Sequence, residues 1–269
     1  MEILRSLILG IVQGITEFLP ISSTAHLIIV PWLFSWEDKG LVYSVALHFG
    51  SLFAVLFYFR KDLHNIVNGF FECVSNRSFK NSVHGKTGLY LIIGTIPALI
   101  FGFLFEGYAS GMFRDPVYVA ILLFVFGLLL YFSENRSKKE KGMDDINLVD
   151  CLFFGVAQSI AIFPGVSRAG VTITGGLLRN YKRDEAAKFS FLLGIPTIIG
   201  AIILEFRHIE YGLIITPSFF VGVIGSFVSA FLVIKFLLLY LKTGTFTPFI
   251  IYRILISVFI IILVFVYKI

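Results

Sequence analysis

The lengths of the apolar segments limit how this chain can fold more than any other feature of its sequence. A helix needs about 20 predominantly apolar residues to cross the hydrocarbon core of a bilayer. Hydrophobic residues make up 57% of the chain and charged residues only 14%, whereas soluble domains carry about 25% charged residues. The sequence therefore predicts an all-α polytopic membrane protein with six transmembrane helices, at residues 40–59, 88–106, 116–133, 188–205, 217–241 and 248–267.

Two further apolar stretches, residues 3–34 and 148–179, are interrupted near their middle by proline and a cluster of polar side chains. Such an interruption leaves backbone N–H and C=O groups unpaired. Hydrocarbon does not tolerate unpaired backbone groups unless protein or a water-filled cavity satisfies them. We therefore expect each of these stretches to form a re-entrant helical hairpin instead of a straight span.

The two interrupted stretches also resemble each other. The segment GIVQGITEFLPISSTA, which starts at Gly10, aligns with GVAQSIAIFPGVSRAG, which starts at Gly155, at an offset of 145 residues. The alignment pairs Gln13 with Gln158, Ser22 with Ser167 and Ser23 with Arg168. We interpret the chain as a single membrane domain, residues 1–269, built from two homologous repeats at about 1–140 and 146–269.

Lysine and arginine are distributed unevenly among the loops. They are frequent after the first and third predicted spans and before the fourth, whereas the loops at 107–115 and 206–216 carry one each, Arg114 and Arg207. The positive-inside rule places the basic loops in the cytoplasm and the other two loops outside. Three spans then separate the repeats, so their topology is inverted, as in transporters whose sites lie near the bilayer midplane. We expect the tips of both hairpins to meet there.

The first hairpin carries a dense group of polar side chains, namely Gln13, Glu17, Ser22, Ser23, Thr24 and His26. Gln13 and Glu17 share a helix face, and an ionisable residue within the membrane marks a functional site by default. The alternatives are a carboxylate near the interface for Glu17 and an interhelical hydrogen bond for Gln13. One hydroxyl can cap the following helix, but capping does not require three hydroxyls in a row. His26 is either a general acid, base or nucleophile, or a structural hydrogen-bonding group.

The second hairpin contains the motif PGVSRAGVTITGG. Gly165 belongs to its turn, and Ser167 and Arg168 begin the next helix. An arginine among apolar residues needs an anionic partner, which is either Glu17 in an ion pair or a phosphate, whose oxygens match the guanidinium fork. Thr172 lies four residues after Arg168 and shares its helix face.

The remaining polar residues are less informative. The net charge of +5 comes from loop residues whose position the orientation rule explains, so no nucleic-acid partner is predicted. His48 lies within a predicted span and is either functional or structural. Cys73 and Cys151 have no spacing typical of a disulfide framework or a metal site.

With these residues in place, the chain resembles the undecaprenyl-diphosphate phosphatase family, also called the bacitracin-resistance protein family. The resemblance rests on QGITEFLPISSTAH, PGVSRAGVTITGG, KFSFLLGIP and PFIIYRI, which together span nearly the whole chain. It implies an enzyme of the inner membrane that removes the terminal phosphate of a polyprenyl diphosphate, with a divalent metal, at a site facing the outside. It also implies recycling of the lipid carrier for cell-wall synthesis and resistance to bacitracin.

Three positions depart from the family pattern. Gln13 stands where many members have Glu, which leaves Glu17 as the main carboxylate. Ala169 replaces the usual Ser after the arginine, so a hydroxyl is not essential there. Lys188 stands where Glu is frequent, and the sequence offers no reason for it.

The resemblance and the residues together lead to a specific hypothesis. We predict four catalytic residues, Glu17, Ser23, His26 and Arg168, with His26 favoured over Ser23 as the nucleophile. We predict six substrate-binding residues, Gln13, Ser22, Thr24, Gly165, Ser167 and Thr172. Mg²⁺ or Ca²⁺ would bridge Glu17 and the diphosphate, because both ions prefer oxygen ligands. The alternative is a transporter or flippase of a phosphorylated lipid, since inverted repeats with broken helices are typical of transporters. The sequence leaves the choice between a monomer and a homodimer open.

Overall fold

The computed structural model of the chain describes residues 2–37, 40–79, 82–110, 112–205 and 216–267, and these residues form eleven α-helices and no strand. The all-α prediction is therefore confirmed. The helices are α1 (Glu2–Phe18), α2 (Ser23–Leu33), α3 (Gly40–Tyr58), α4 (Arg60–Ser75), α5 (Val83–Ser110), α6 (Pro116–Arg136), α7 (Leu148–Ser159), α8 (Arg168–Leu178), α9 (Arg183–Glu205), α10 (Pro217–Tyr240) and α11 (Thr247–Tyr267). The predicted outer loop at 206–216, with Arg207, lies outside the described residues except for Thr216.

A helix occupies each of the six segments that the sequence predicts to cross the membrane. Five of them, α5, α6, α9, α10 and α11, are individually long and apolar enough to span a bilayer. Helix α3 meets the same criteria only together with α4, from which it is bent by 76°. Helix α4 was not predicted. It buries Ile66, Gly69 and Cys73, which are three and four residues apart and so form one face of an amphipathic helix.

Both interrupted stretches form pairs of short helices joined at a tip, as expected for re-entrant hairpins. The first pair is α1 and α2, and the second is α7 and α8 with a 3₁₀ turn at Ile160–Ile162 between them. Ser22 caps α2 with φ 75° and ψ 100°, and Ser167 caps α8 with φ 73° and ψ 110°. A positive φ is uncommon for a residue with a Cβ, so the two tips share an unusual backbone conformation at equivalent positions.

Each hairpin packs against a span from the other half of the chain. Helix α1 packs against α10, and α7 packs against α5. Glycine allows both contacts, because a Cβ atom on Gly10 would lie 2.0 Å from the carbonyl oxygen of Gly222, and one on Gly155 would lie 2.6 Å from that of Gly94. This crossed packing draws the two tips together. The division into repeats at about 1–140 and 146–269 stays a prediction.

Ion pairs connect basic residues near the ends of several helices to carboxylates of neighbouring helices. Lys188 Nζ of α9 lies 2.6 Å from Asp62 Oδ1 of α4, which gives Lys188 a role that the sequence did not suggest. Asp150, fully buried at the start of α7, accepts hydrogen bonds from Arg179 and Tyr181. Burial and the hydrogen bond to Asp150 raise the pKa of Tyr181, so its hydroxyl stays a neutral donor.

Candidate active site

A cavity of about 190 Å³ lies where the two hairpin tips meet α3, α5 and α9. The tips supply a polar wall of Glu17, Ser22, Ser23, Thr24, Ser167 and Arg168. Helices α5 and α9 supply a largely apolar wall that includes Ala98, Leu99, Gly102, Ile198, Ala201 and Leu204. The cavity thus combines a cluster of charged and hydroxyl groups with a surface suited to a hydrocarbon chain.

Glu17 is the centre of the polar wall. It is only 6% exposed, and its Oε1 accepts a hydrogen bond from Arg168 Nη2 at 2.7 Å. Its Oε2 accepts from Ser23 Oγ at 2.8 Å and from Gln13 Nε2 at 3.0 Å, and it lies 3.2 Å from His48 Nε2. Four elements, α1, α2, α3 and α8, therefore converge on one buried carboxylate. Burying a charge is costly unless it is paired and hydrogen-bonded in this way.

Arg168 opens α8 and is anchored on both sides. Its Nη1 donates to the carbonyl oxygen of Ser190 at 2.9 Å, and its guanidinium lies 5.9 Å from the ring centroid of Phe18. The ion pair with Glu17, which was one of the two alternatives from the sequence, is present. The pair does not use up the guanidinium, which lines the cavity and has five N–H donors. Arg168 can therefore hold Glu17 and meet an anion in the cavity at the same time.

The two helix starts at the tips are linked through one hydroxyl. Ser22 Oγ accepts a hydrogen bond from the N–H of Ala25, in its own helix, at 3.3 Å, and another from the N–H of Gly165, in the other tip, at 3.2 Å. Ser167 Oγ caps α8 through the N–H of Gly170 at 3.0 Å. The first turns of α2 and α8 both lie beside the cavity, where N-terminal N–H groups favour an anion.

Three of the predicted substrate-binding residues do not line the cavity. Gln13 is fully buried behind Glu17 and holds its carboxylate. Thr172 Oγ1 forms a hydrogen bond of 2.6 Å with Ser190 Oγ, next to the carbonyl group that anchors Arg168. Gly165 contributes its backbone to the contact between the tips. These residues support the residues of the cavity wall and are not exposed to its contents.

His26 also lies outside the cavity wall. Its Nδ1 is 2.7 Å from the carbonyl oxygen of Ser22, and its Nε2 is 2.6 Å from the hydroxyl of Tyr252 in α11. Because a carbonyl oxygen only accepts, Nδ1 donates to it, and Nε2 forms its hydrogen bond with the tyrosine hydroxyl. The imidazole also stacks on the ring of Tyr252. Both ring nitrogens are therefore engaged in hydrogen bonds within the protein.

Two other residues have more prominent positions than the sequence suggested. His48, which the sequence left as either functional or structural, lines the cavity and contacts Glu17. Arg253 of α11 is fully buried and donates to the carbonyl oxygens of Leu123 at 3.1 Å, Pro20 at 3.0 Å and Gly165 at 2.9 Å. It thereby ties α6 and both hairpin tips together. The sequence did contain a signal for Arg253, because a charged residue within a predicted span is functional by default.

The chain is similar to known proteins over nearly its whole length. Residues 6–259 match the family model described as "Bacitracin resistance protein BacA". A protein named undecaprenyl-diphosphatase from Moorella thermoacetica is 43% identical over 261 residues, which cover 97% of each chain. Proteins of the same name are 42% identical in Caldicellulosiruptor bescii, with 94% of each chain covered, and 40% identical in Alcanivorax borkumensis, with 96% of this chain and 97% of the relative covered.

Proposed function

Because this chain belongs to the bacitracin resistance protein family, we propose that it is an integral membrane phosphatase that converts undecaprenyl diphosphate into the monophosphate and inorganic phosphate. The observation that carries the proposal is the contact of Glu17 with both Ser23 Oγ, at 2.8 Å, and Arg168 Nη2, at 2.7 Å, in the wall of one cavity. This activity regenerates the lipid carrier used in cell-wall synthesis and underlies resistance to bacitracin.

We assign the attack on the terminal phosphorus to Ser23. A serine hydroxyl needs an adjacent base, and Glu17 Oε2 accepts its proton along the existing hydrogen bond. The new Oγ–P bond replaces the bond from phosphorus to the bridging oxygen, and the lipid monophosphate leaves. Water then attacks the phosphoserine while Glu17 returns the first proton to Ser23 Oγ, and the phosphate leaves as H₂PO₄⁻ with both protons of the water. Arg168 stabilises the charge on the transferred phosphoryl group.

This assignment replaces the sequence-based preference for His26 as the nucleophile. The imidazole lies outside the cavity wall, with one nitrogen donating to the Ser22 carbonyl and the other hydrogen-bonded to the Tyr252 hydroxyl. An attacking nitrogen needs a free lone pair directed at phosphorus, which this arrangement does not provide. The role we assign to His26 is to hold the start of α2, and therefore Ser22 and Ser23, in place.

The residues of the cavity fit a divalent metal that arrives with the diphosphate. Within the described part of the chain, no group of three His, Cys, Asp or Glu residues is close enough to hold an ion. The carboxylate of Glu17 and the hydroxyls of Ser23 and Thr24 are oxygen donors in the cavity wall. Mg²⁺ is commonly bound by one or two carboxylates together with substrate phosphates. When bound, Mg²⁺ or Ca²⁺ would neutralise charge on the diphosphate, with Glu17 as the protein ligand.

The metal proposal has a direct test. Chelation with EDTA should lower the turnover of the purified protein by at least about tenfold, because the diphosphate would lose a neutralising ion. Added Mg²⁺ or Ca²⁺ should restore turnover, whereas Na⁺ at the same ionic strength should not. Unchanged turnover in EDTA would contradict a metal role.

The apolar wall and the loop charges complete the proposal. The prenyl chain would lie against Leu99, Ala201 and Leu204 between α5 and α9, leaving the diphosphate at the tips. We place the protein in the inner membrane with the cavity accessible from outside, on the basis of the uneven loop charges. The transporter or flippase alternative is not favoured, because the similar curated proteins carry the name of a diphosphatase.

Phosphate release by the purified protein in detergent tests the proposed function, since transport requires a sealed membrane and hydrolysis does not. We expect the wild-type protein to release phosphate from undecaprenyl diphosphate and Ser23→Ala to release none. Ser133→Ala is a matched control, because this buried serine of α6 donates only to the carbonyl oxygen of Leu130 among the described residues. A protein that releases no phosphate in detergent would contradict the function.

The identity of the nucleophile needs a separate measurement. A phosphoryl adduct trapped by acid quenching should be acid-stable, as phosphoserine is. An acid-labile adduct that persists in Ser23→Ala would return the attacking role to a histidine.

A further inference from the structure

Gln158 of α7 has no role in the mechanism above, yet its surroundings are unusual. The residue is 2% exposed and lines the cavity. Both amide atoms, Nε2 and Oε1, are buried, and neither has a hydrogen-bond partner among the described residues. A buried polar group without a partner is costly and calls for an explanation. A ligand in the cavity would supply the missing partner.

The equivalent residue of the first hairpin indicates what that ligand is. Gln158 aligns with Gln13, whose Nε2 donates to the carboxylate of Glu17 at 3.0 Å. The position equivalent to Glu17 is Ile162, an apolar residue that also lines the cavity. The second hairpin therefore keeps the glutamine, as Gln158, but lacks a carboxylate equivalent to Glu17.

A second residue that donates to the Glu17 carboxylate also differs between the two hairpins. Ser23, which donates to Glu17 in the first hairpin, aligns with Arg168 in the second. The amide of Gln158 and the guanidinium of Arg168 therefore line one cavity, in a hairpin that supplies no carboxylate of its own at the position of Glu17. An anion of similar size, such as a phosphate group, satisfies both donors, because charged acceptors form the stronger hydrogen bonds.

We propose that Gln158 and Arg168 form a subsite for the lipid-proximal phosphate of the diphosphate, with a phosphate oxygen accepting from Gln158 Nε2 and with the guanidinium also contacting the terminal phosphoryl group that it stabilises. This inference rests on the proposed function. The turn at Ile160–Ile162 that follows Gln158 packs against α5, which forms part of the apolar wall. Gln158 therefore lies beside the wall assigned to the prenyl chain, whereas Ser23, on the other hairpin, attacks the terminal phosphate.

The subsite has a consequence for specificity. A diphosphate can place one phosphate at Ser23 and the other at Gln158, whereas a monophosphate can occupy only one of the two places. The contact made by Gln158 therefore favours diphosphate lipids over monophosphate lipids and limits attack on the product. Gln158 is a substrate-binding residue, so its loss should affect KM more than kcat.

Two substitutions test the subsite. Gln158→Met preserves length and removes the donor, and Gln158→Glu preserves shape and adds a negative charge next to the phosphate. For undecaprenyl diphosphate in detergent we expect KM to rise about tenfold in Gln158→Met and about 100-fold in Gln158→Glu, the range for hydrogen bonds to charged groups, with kcat within about twofold of wild type. The preference for diphosphate over monophosphate lipid should fall in parallel.

Ser226→Ala is the matched control, because Ser226 Oγ is likewise buried without a partner in the described part of the chain but does not line the cavity. Its KM should stay at the wild-type value. A KM within twofold of wild type in both Gln158 variants would overturn the subsite, and so would a fall in kcat at constant KM. If the wild-type protein released no phosphate, that result would contradict the proposed function but would not by itself test the subsite. Binding of undecaprenyl diphosphate to wild type and to Gln158→Glu would then still test the subsite, which equal affinities would overturn.

Discussion

Glu17 shows how one buried charge can organise a site made from distant parts of a chain. Its carboxylate contacts Gln13 from its own helix, Ser23 across the hairpin tip, His48 of α3 and Arg168 of α8. Removing one partner of a buried ion pair leaves a charge uncompensated, which is strongly destabilising. In the proposed mechanism each of these partners affects both the stability and the chemistry of the site, so substitutions must be chosen to separate the two.

Arg168 can be tested with a charge-conserving substitution. Arg168→Lys should lower kcat/KM by about 10- to 100-fold, because a lysine ammonium cannot contact Ser190, Glu17 and a phosphate together in the geometry of a planar fork. Arg179→Lys is the control, since Arg179 pairs with Asp150 at the far end of α8. Steady-state kinetics in detergent measure both variants. Wild-type kcat/KM in Arg168→Lys would remove the phosphate-binding role.

His48 can be tested by keeping or removing its hydrogen bond to Glu17. His48 Nδ1 lies 2.7 Å from the carbonyl oxygen of Ser44, which directs Nε2 at the carboxylate. Both partner atoms only accept, so both ring nitrogens carry protons and the ring is cationic. His48→Gln retains a donor of similar reach without the charge and should lower kcat/KM by only about threefold. His48→Leu leaves an acceptor unpaired and should lower kcat/KM by about tenfold. Equal kinetics in the two variants would show that this hydrogen bond is not needed.

Pairs of helices in this fold approach each other closely where glycines meet. Helices α1 and α10 touch at Gly10 and Gly222, and α5 and α7 touch at Gly94 and Gly155. Small residues permit such close packing of backbones, which is a main source of association between helices in a membrane. The positions of the hairpin tips depend on these contacts, since each hairpin is held by a span from the other half of the chain.

Because the tips depend on these glycine contacts, adding one methyl group at Gly10 should lower both stability and turnover. In Gly10→Ala the added Cβ would meet the carbonyl oxygen of Gly222, so α1 must move away from α10. We expect a loss of about 1–3 kcal/mol of stability, as for other overpacked sites, and reduced turnover because Glu17 moves with α1. Gly107→Ala, where the added Cβ meets nothing within 4 Å, is the control. Thermal unfolding in detergent compares the two, and equal melting temperatures would contradict the packing argument.

For the molecule as a whole, the uneven loop charges predict one orientation in the membrane. The loop charges predict that Lys139 is cytoplasmic and that Gly107, at the end of α5, is outside. In a variant with Cys73→Ala and Cys151→Ala, a membrane-impermeant thiol reagent should label Gly107→Cys in intact cells and leave Lys139→Cys unlabelled. Both should be labelled after the cells are opened. Labelling of Lys139→Cys in intact cells would reverse the proposed topology.

The positions of the helices follow from local patterns in the sequence. The length of an apolar run is set by the thickness of a bilayer, so the six spans are visible without any tertiary information. Proline and serine interrupt two other runs, which locates the tips at Ser22 and Ser167. Helix α4 was missed because its apolar residues occupy a single helix face and do not form a continuous run.

The directions of the site side chains depend instead on packing between distant segments. The polar residues of the tips are visible in the motifs, but His26 does not line the cavity and instead forms a hydrogen bond with Tyr252, which is 226 positions further along the chain. Arg253 reaches both tips from the last helix, and Gln158 faces the cavity without the carboxylate that Gln13 has. Local propensity acts over a few residues, whereas these contacts arise only when separate helices pack together. A motif therefore identifies which residues gather at a site, and tertiary packing decides which of them line the cavity.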